Sequence, residues 1–207
     1  MSQIKLNAIA AICNENNGIG KDNALPWSIP EDYNYFLRVA SSTADNGKIN
    51  CLIMGRLTWL SLTKEHGPIG KSLHIIISNK MKPNDIEFGD ETLNKNILIL
   101  NSVSEAIDLV RNKYSDQIET IYVCGGSSIY NSIVERDDFH RFYLTRVLDY
   151  FECNVFIKSN FLANFTKITD ESLDKESKMF KIDYNVVKTD KTNGAKFIFE
   201  VYEKQKN

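Results

Sequence analysis

The first chemical signal in the sequence is a single acidic residue, Asp32, on a helix that otherwise presents apolar side chains. It lies in a segment that begins at Gly18 and ends at Phe36. The 3.6-residue period of a helix places Asp32 beside Tyr33 and Phe36. Burying an unpaired charge costs several kcal/mol, so a carboxyl group in this position must either be paired or do chemical work. We interpret Asp32 as a catalytic group.

The loop before this helix could fold over a ligand. Gly18 and Gly20 give it two permissive hinges, and the segment from Leu25 to Trp27 gives it a rigid aromatic end. An ordinary strand-to-helix turn is the alternative. Because Trp27 and Asp32 follow directly, we favour a loop that closes beside a site.

Two further segments pass from a strand through glycine into a helix. They run from Met54 to Arg56 and from Cys124 to Ser127. The free amides of a helix N-terminus can hold a diphosphate, and glycines let it approach the main chain. A surface arginine and a structural Gly-Gly turn are the ordinary alternatives, and the G-x-G-x-x-G fingerprint is missing. The presence of two such strand-to-helix segments nevertheless indicates a dinucleotide that lies across the strand ends.

Apolar runs of strand length recur along the chain. They are near-continuous in Ile, Val and Leu, which is typical of central strands covered on both faces. They extend over Leu6 to Cys13, Asn50 to Met54, Leu73 to Ser78, Ile97 to Leu100, Thr120 to Cys124, and Phe142 to Val147. Their alternation with helix signals predicts an α/β fold with a doubly wound parallel sheet.

Helices are predicted from apolar faces and capping residues. The first runs from Pro30 to Ala40 with a face of Tyr33, Phe36, Leu37 and Ala40. A capping box from Ser102 to Glu105 opens the second, with Val103, Ile107, Val110 and Tyr114 on one side. Ser127 or Ser128 is expected to cap the third, which runs to about Glu135.

The C-terminal segment has a different pattern. Met179 to Val187 and Lys196 to Glu203 flank a polar turn from Thr189 to Gly194, which predicts an antiparallel hairpin at the sheet edge. Polar stretches are expected to form surface loops at Ser41 to Lys48, Asn79 to Asn96, and Thr169 to Ser177. Since no repeat or low-complexity linker divides the chain, we expect one domain over residues 1–207.

The composition argues against several classes of protein. A formal net charge of −2 over 207 residues offers no basic face to nucleic acid. The widely spaced cysteines are expected to be reduced, and with no histidine near them at ligand spacing we expect no metal. The N-terminus lacks signal-peptide regions, and no stretch approaches the roughly 20 apolar residues of a membrane span. We therefore expect a cytoplasmic protein that binds neither nucleic acid nor membranes.

Taken together, these motifs resemble the dihydrofolate reductase family over nearly the whole chain. The resemblance is carried by Ile9 to Ala11, Gly18 to Gly20, Leu25 to Trp27, Asp32, Phe36, Met54 to Arg56, Thr58, Trp59, Cys124 to Ser127, Tyr130, Tyr143 to Arg146, and Phe199 to Glu203. It implies a mostly parallel central sheet with helices on both faces and a C-terminal antiparallel hairpin. It also implies hydride transfer from NADPH to the pteridine ring of dihydrofolate, a step of one-carbon metabolism.

The resemblance further implies roles for individual residues. Asp32 would bind the pterin's amino group and ring N–H, Thr145 would support it, and Trp27 would anchor the closing loop. The residues implied around the substrate are Ile9, Ala11, Asp32, Tyr33, Phe36, Leu62, Ile69, Cys124, Tyr130 and Thr145. Those implied around NADPH are Ala11, Ile19, Gly20, Gly55, Arg56, Leu57, Thr58, Ser78, Asn79, Lys80, Gly125, Gly126, Ser127, Ser128 and Ile129.

Several positions depart from the family's pattern. Ser72, preceded by Lys71, stands where the family usually has an arginine that binds the substrate's glutamate tail. Asn79 and Asn101 stand where vertebrate members have arginines near the cofactor's 2′-phosphate. Recognition of these two anionic groups is therefore expected to differ from that in relatives with the arginines.

Two alternatives to this function stay open. One is a reductase of the same fold that acts on a heterocycle without a glutamate tail, and the other is a pterin- or nucleotide-binding protein without turnover. Asp32 and Thr145 favour dihydrofolate as the substrate, and Trp27 argues against loss of turnover.

The expected partners are dihydrofolate and antifolate inhibitors. The chain is expected to be a monomer unless it is fused to or paired with thymidylate synthase, and its end after Glu203 fits either a complete reductase or a trimmed domain.

Overall fold

All the strands predicted as central lie in one continuous sheet. The computed structural model describes residues 4–82, Asp85, 96–169 and 171–205. Within these residues the strands are β1 (Lys5–Cys13), β2 (Gly18–Gly20), β3 (Ile49–Gly55), β4 (Leu73–Ile77), β5 (Ile97–Leu100), β6 (Ile118–Val123), β7 (Phe139–Val147), β8 (Val155–Phe156), β9 (Phe165–Lys167), β10 (Val187–Thr189) and β11 (Lys196–Lys204). The helices are α1 (Pro30–Ser41), α2 (Arg56–His66), α3 (Val103–Lys113), α4 (Ser127–Ile133) and α5 (Asp174–Phe180), with a 3-10 turn at Glu171–Leu173.

The strand order brings several chain turns to one edge of the sheet. The order is β10-β11-β7-β1-β6-β3-β4-β5, and neighbours from β7 to β5 are parallel. Strand β11 is antiparallel to β7, and both β9 and β10 pair with β11. Strands β2 and β8 form a separate antiparallel pair. Since parallel strands have their carboxyl ends at the same edge, the residues that follow β1, β3, β4 and β6 meet there.

Helices cover both faces of the sheet, as the apolar runs predict. On one face, Tyr35 of α1 and Trp59 of α2 pack in an apolar cluster with Met54. On the other, Ile107 of α3 packs with Ile53 in a second cluster. Because adjacent residues of β3 belong to opposite clusters, the central sheet is buried on both sides.

The buried face of α1 differs from the predicted one. Its buried residues are Asp32, Tyr35, Val39 and Ala40. Phe36 and Leu37 are only partly buried. The helix is therefore rotated so that Tyr35 faces the core while Phe36 and Leu37 lie along its boundary. Asp32 is on the buried side, in agreement with the prediction.

Predicted caps are confirmed for α3 and wrong for α4. The hydroxyl of Ser102 accepts a hydrogen bond from the Glu105 amide at 3.2 Å. The N-cap of α4 is Gly126, which has no side chain to act as a cap, and Ser127 and Ser128 already lie in the first turn. A cap forms from the residue before the first helical one, so neither serine is in the required position.

The strand β11 is confirmed, but its predicted partner is largely wrong. Met179 belongs to α5, and of the predicted strand only Val187 lies in β10, which pairs with β11 over Val187–Thr189. Acidic side chains in the first turn of α5 and Lys178 in the last complement the helix dipole. Helix α5 and the 3-10 turn also replace much of the loop predicted from Thr169 to Ser177. Most of the loop predicted from Asn79 to Asn96 lies outside the described residues.

Candidate active site

Asp32 lies in the first turn of α1 with its carboxyl group inside the protein. The residue is 8% exposed, and the hydroxyl of Thr145 donates a hydrogen bond to the carboxyl group. Burial raises the pKa of Asp32 to about 6, and the hydrogen bond from Thr145 opposes this shift. A carboxyl group with this pKa can bind and release a proton near neutral pH.

The strand ends place apolar residues near this acid. Thr145 of β7 pairs with Ala11 of β1, and Cys124 directly follows β6. Ile9 and Cys124 are buried in the same apolar cluster, against which Ala11 packs. The sheet register thus brings residues that are far apart in the sequence around Asp32. We call this region the apolar slot.

Helices α1 and α2 and the segment that follows α2 add further residues to this apolar cluster. Ile69 is buried in the same cluster, and Phe36 and Leu62 pack against that cluster. The ring of Tyr33 lies 6.3 Å from that of Phe36. The substrate residues implied by the resemblance are therefore mostly assembled in one apolar region.

Tyr130 is the exception, because it approaches from the other face of the sheet. It belongs to the second apolar cluster. Its hydroxyl donates to the carbonyl of Ile9 at 2.7 Å and would lie 3.0 Å from a Cβ built on Gly125. Gly125 also has φ +109, a conformation that favours glycine. Tyr130 therefore supports the main chain of the slot from behind.

The two glycine-containing junctions lie side by side at the carboxyl edge. The amide of Gly55 donates to the carbonyl of Gly125 at 2.7 Å. A Cβ on Gly126 would lie 3.7 Å from the hydroxyl of Thr58 in the first turn of α2. In the described structure neither helix has a side-chain cap, so the first amides of α2 and α4 remain available to a ligand.

Trp27 ends the loop that carries Ile19 and Gly20. Its indole ring is 6% exposed and packs edge-on against Phe151 at a centroid distance of 5.7 Å. The indole Nε1 has no hydrogen-bond partner among the described residues. A buried donor without an acceptor is costly, so this group suits a bound ligand or water.

The end of β4 turns sharply beside the same edge. The hydroxyl of Ser78 accepts hydrogen bonds from the amides of Lys80 and Met81 at 3.1 and 3.0 Å. The side chains of Asn79 and Lys80 are exposed, as is that of Leu57, whereas Arg56 is half-buried. The main chain of this turn is thus fixed by Ser78, and its side chains reach solvent.

Ser72 and Lys71 point in different directions at the start of β4. Ser72 is 3% exposed, and its hydroxyl donates to the carbonyl of Ala40 at 3.3 Å. Lys71 is exposed. Position 72 therefore faces the C-terminal end of α1, and no positive charge is supplied from it.

Two residues near the slot were not predicted from the sequence. Phe151 supports Trp27, but its contact spans a large sequence separation that no local pattern indicates. His74 accepts a hydrogen bond from the main-chain N–H of Ile69, a contact that the sequence pattern does not indicate. The strand period, which places position 74 on the same face as Ile76, is the signal for its burial.

Other features bear on the expected class of protein. All the cysteines, which lie in the described part of the chain, are free, and three of them are buried. Among the described residues, no group of three or more His, Cys, Asp or Glu side chains could hold a metal ion. None of the helices described has both the length and the apolar character needed to cross a bilayer.

Comparison with known proteins identifies the family. The family model for dihydrofolate reductase matches residues 5–204. The dihydrofolate reductase of Heliothis virescens is 30% identical over 86% of this chain and 92% of its own, and that of Sus scrofa is 30% identical over 96% and 97%. The structure of Schistosoma mansoni dihydrofolate reductase matches with a TM-score of 0.78 and 25% identity, over 99% of this chain and 100% of that one. The site combines a buried acid and an apolar slot with two helix starts that contain glycine. Together with these matches, it shows that the chain belongs to the dihydrofolate reductase family.

Proposed function

We propose that this chain reduces dihydrofolate with NADPH and that Asp32 both orients the pterin and assists its protonation. Reduction of dihydrofolate to tetrahydrofolate is the activity of the family to which the chain belongs. The observation that carries the assignment of the residues is the carboxyl group of Asp32, buried in the slot with a pKa of about 6.

Asp32 can hold the pterin through two hydrogen bonds. A carboxylate has two oxygens, and an amino group next to a ring N–H offers two donors with matching spacing. The hydroxyl of Thr145 fixes the orientation of the carboxyl group and leaves acceptor capacity for the ring. Such two-point binding in an apolar slot supports a single orientation of the pterin.

The raised pKa of Asp32 supports a role in proton supply. A group whose pKa lies near the working pH can hold a proton without binding it too tightly to release it. The proton would reach the ring nitrogen next to the carbon that accepts hydride, through water. The unpaired Nε1 of buried Trp27 provides a donor that suits an ordered water at this end of the slot.

NADPH fits the paired helix starts. The close contact of Gly55 with Gly125 leaves main-chain amides without the bulk of side chains, which suits a diphosphate. When bound, NADPH supplies the hydride. Amides and hydroxyls of Thr58, Ser127 and Ser128 would hold its diphosphate, with Arg56 adding a positive charge. Ile19, Gly20, Leu57 and Ile129 would surround the rest, and Ser78 to Lys80 would lie near the adenosine.

Loss of absorbance at the NADPH band on addition of dihydrofolate tests the proposal. Purified chain should consume NADPH only when dihydrofolate is present, and a diaminopyrimidine inhibitor should stop the reaction. Asp32→Asn, which keeps the shape of the side chain, serves as the control. A chain that binds NADPH but leaves the absorbance unchanged would contradict the proposal.

We further propose a single domain that acts as a cytoplasmic monomer. Size-exclusion chromatography can test the oligomeric state, and cell fractionation can test the location.

A further inference from the structure

A buried histidine holds the segment that forms one side of the apolar slot. His74 of β4 is 1% exposed and packs edge-on against Trp59, with ring centroids 5.5 Å apart. Its Nε2 accepts a hydrogen bond from the main-chain N–H of Ile69 at 3.1 Å. Because an N–H can only donate, Nε2 carries no hydrogen, and the neutral ring has its hydrogen on Nδ1.

Two glycines flank Ile69, and both have backbone conformations that other residues rarely adopt. The hydrogen bond to His74 therefore helps to fix the main chain of Ile69. Gly67 and Gly70 have φ of +68 and +53, in the region that favours glycine. The carbonyl of Ile69 accepts from the Ser72 amide at 3.4 Å, which is long for such a bond. The bond to His74 is the shorter of these two, and it holds Ile69 between the two glycines with positive φ.

Ile69 belongs to the apolar slot. It is 6% exposed and shares an apolar cluster with Ile9 and Cys124, against which Phe36 and Leu62 pack. A leucine could fill the volume of His74 in such surroundings, but it could not accept the Ile69 N–H. The imidazole therefore supplies an acceptor that packing alone would not require.

We propose that His74 is a positioning residue for the substrate. By holding the main chain of Ile69, it sets the apolar wall that contacts the aryl ring between the pterin and the glutamate of dihydrofolate. The inference rests on the proposed function, because that substrate supplies the aryl ring. His74 acts through Ile69 and not on the reacting atoms. Its effect therefore belongs to substrate affinity and not to the chemical step.

Variants that differ only in the acceptor test this inference. His74→Leu removes it, and His74→Gln restores an acceptor at about the reach of Nε2. We expect His74→Leu to raise KM for dihydrofolate by ~3- to 10-fold with kcat within about twofold, and His74→Gln to recover most of the loss. KM for a dihydropterin without the aryl ring should change less than twofold in both. Ile75→Ala changes a residue of the same strand that lies in the other apolar cluster. It should lower the stability of the fold without raising KM for dihydrofolate more than KM for the dihydropterin.

A double-mutant cycle and amide exchange separate the possible causes. His74→Leu should have little further effect on KM in an Ile69→Ala background, since the wall is already lost. Hydrogen exchange at the Ile69 amide should be faster in His74→Leu than in the wild type. Unchanged exchange, or faster exchange with unchanged KM, would overturn the inference and leave the proposed function standing. A wild-type protein that binds dihydrofolate without reducing it would overturn the proposed function, and its Kd, measured across the same variants, would then decide the inference.

Discussion

At the scale of single residues, the site depends on one carboxyl group whose proton affinity is set by burial. Asp32→Asn preserves its volume and one acceptor oxygen but removes the charge and the titration. If Asp32 orients the pterin and assists protonation, turnover should fall by ~10²- to 10⁴-fold while NADPH binding is retained. Single-turnover kinetics with dihydrofolate would measure the loss. Near wild-type turnover at neutral pH would show that Asp32 has neither role.

The pH dependence of the reaction follows from the same residue. Because the pKa of Asp32 is about 6, the carboxyl group is increasingly deprotonated above that pH. If it assists protonation, kcat/KM for dihydrofolate, whose pH dependence reports the pKa values of the free enzyme, should fall by up to tenfold per pH unit above about 6. In Asp32→Asn this inflection should disappear, and the rate should keep rising as the solution is made more acidic. An identical profile in both proteins would assign the inflection to another group.

Ser72 should determine how strongly the glutamate tail contributes to binding. A charge-assisted arginine–carboxylate contact is worth ~1.5–3 kcal/mol, which the Ser72 hydroxyl, donated to Ala40, cannot supply. We expect Ser72→Arg to tighten inhibitors with a glutamate tail by about tenfold or more and to leave tail-less ones nearly unchanged. Competitive inhibition constants would measure this, with exposed Lys71→Arg as the control. Equal effects on both inhibitor types would mean that position 72 does not face the tail.

At the scale of elements, cofactor preference depends on the turns at the carboxyl edge of the sheet. Arg56 begins α2 and Lys80 follows β4, but Asn79 and Asn101 are neutral. Glu105 adds a negative charge there, since its carboxylate accepts from the Asn101 amide at 3.3 Å. We expect NADPH to be preferred over NADH, but less than in arginine-rich relatives. Lys80→Leu should reduce the ratio of the kcat/KM value for NADPH to that for NADH, and Asn79→Arg should raise this ratio by ~10-fold. Arg56→Leu, which affects the shared diphosphate, should weaken both cofactors alike. Equal values for the two cofactors in the wild type would exclude this phosphate site.

The elements also show which parts of the fold are predictable from sequence. Runs such as Leu73–Ile77 are dense in β-branched residues and buried on both faces, so their composition specifies a central strand. The segment around Met179 has apolar residues in a pattern compatible with a strand. Its charges near the ends favour the short helix α5, and Arg141 binds Glu176 at 2.6 Å from another part of the chain. Such tertiary contacts have no local signature.

The same distinction applies to the site. Asp32 can be identified from the sequence because it is an acid on the apolar face of a predicted helix. Burying an unpaired carboxylate costs free energy, so such a residue indicates a function or a partner. That Thr145 reaches it depends on the register of β7 against β1, which only the assembled sheet defines. The resemblance to a family supplied that pairing where local patterns could not. His74 remained unassigned because its partner is a main-chain amide, which carries no side-chain signal.

At the scale of the whole molecule, the site is continuous with one of the two apolar clusters that form the core. Ile9 and Cys124 of the slot belong to the same cluster as Tyr35 and Phe199, which are fully buried. An ionisable group buried beside this cluster, such as Asp32, therefore affects the stability of the folded protein. The burial that raises the pKa of Asp32 must, by linkage, reduce the stability of the folded protein when the carboxyl group is ionised.

This linkage predicts that Asp32→Asn stabilises the unliganded protein. At about pH 3 and below, the carboxyl group is mostly protonated in both folded and unfolded states, so the two proteins should differ little. As the pH rises from about 3 to 6, the unfolded state loses its proton first, and wild-type stability should fall relative to the variant. Above about pH 7 the difference should be constant at ~1–3 kcal/mol, since one pKa unit corresponds to about 1.4 kcal/mol and the buried amide has a cost of its own. Urea unfolding between about pH 3 and 8 would measure it. A variant that is less stable at about pH 7 by the same amount as at about pH 3 would show that the Asp32 carboxylate is compensated in the folded protein.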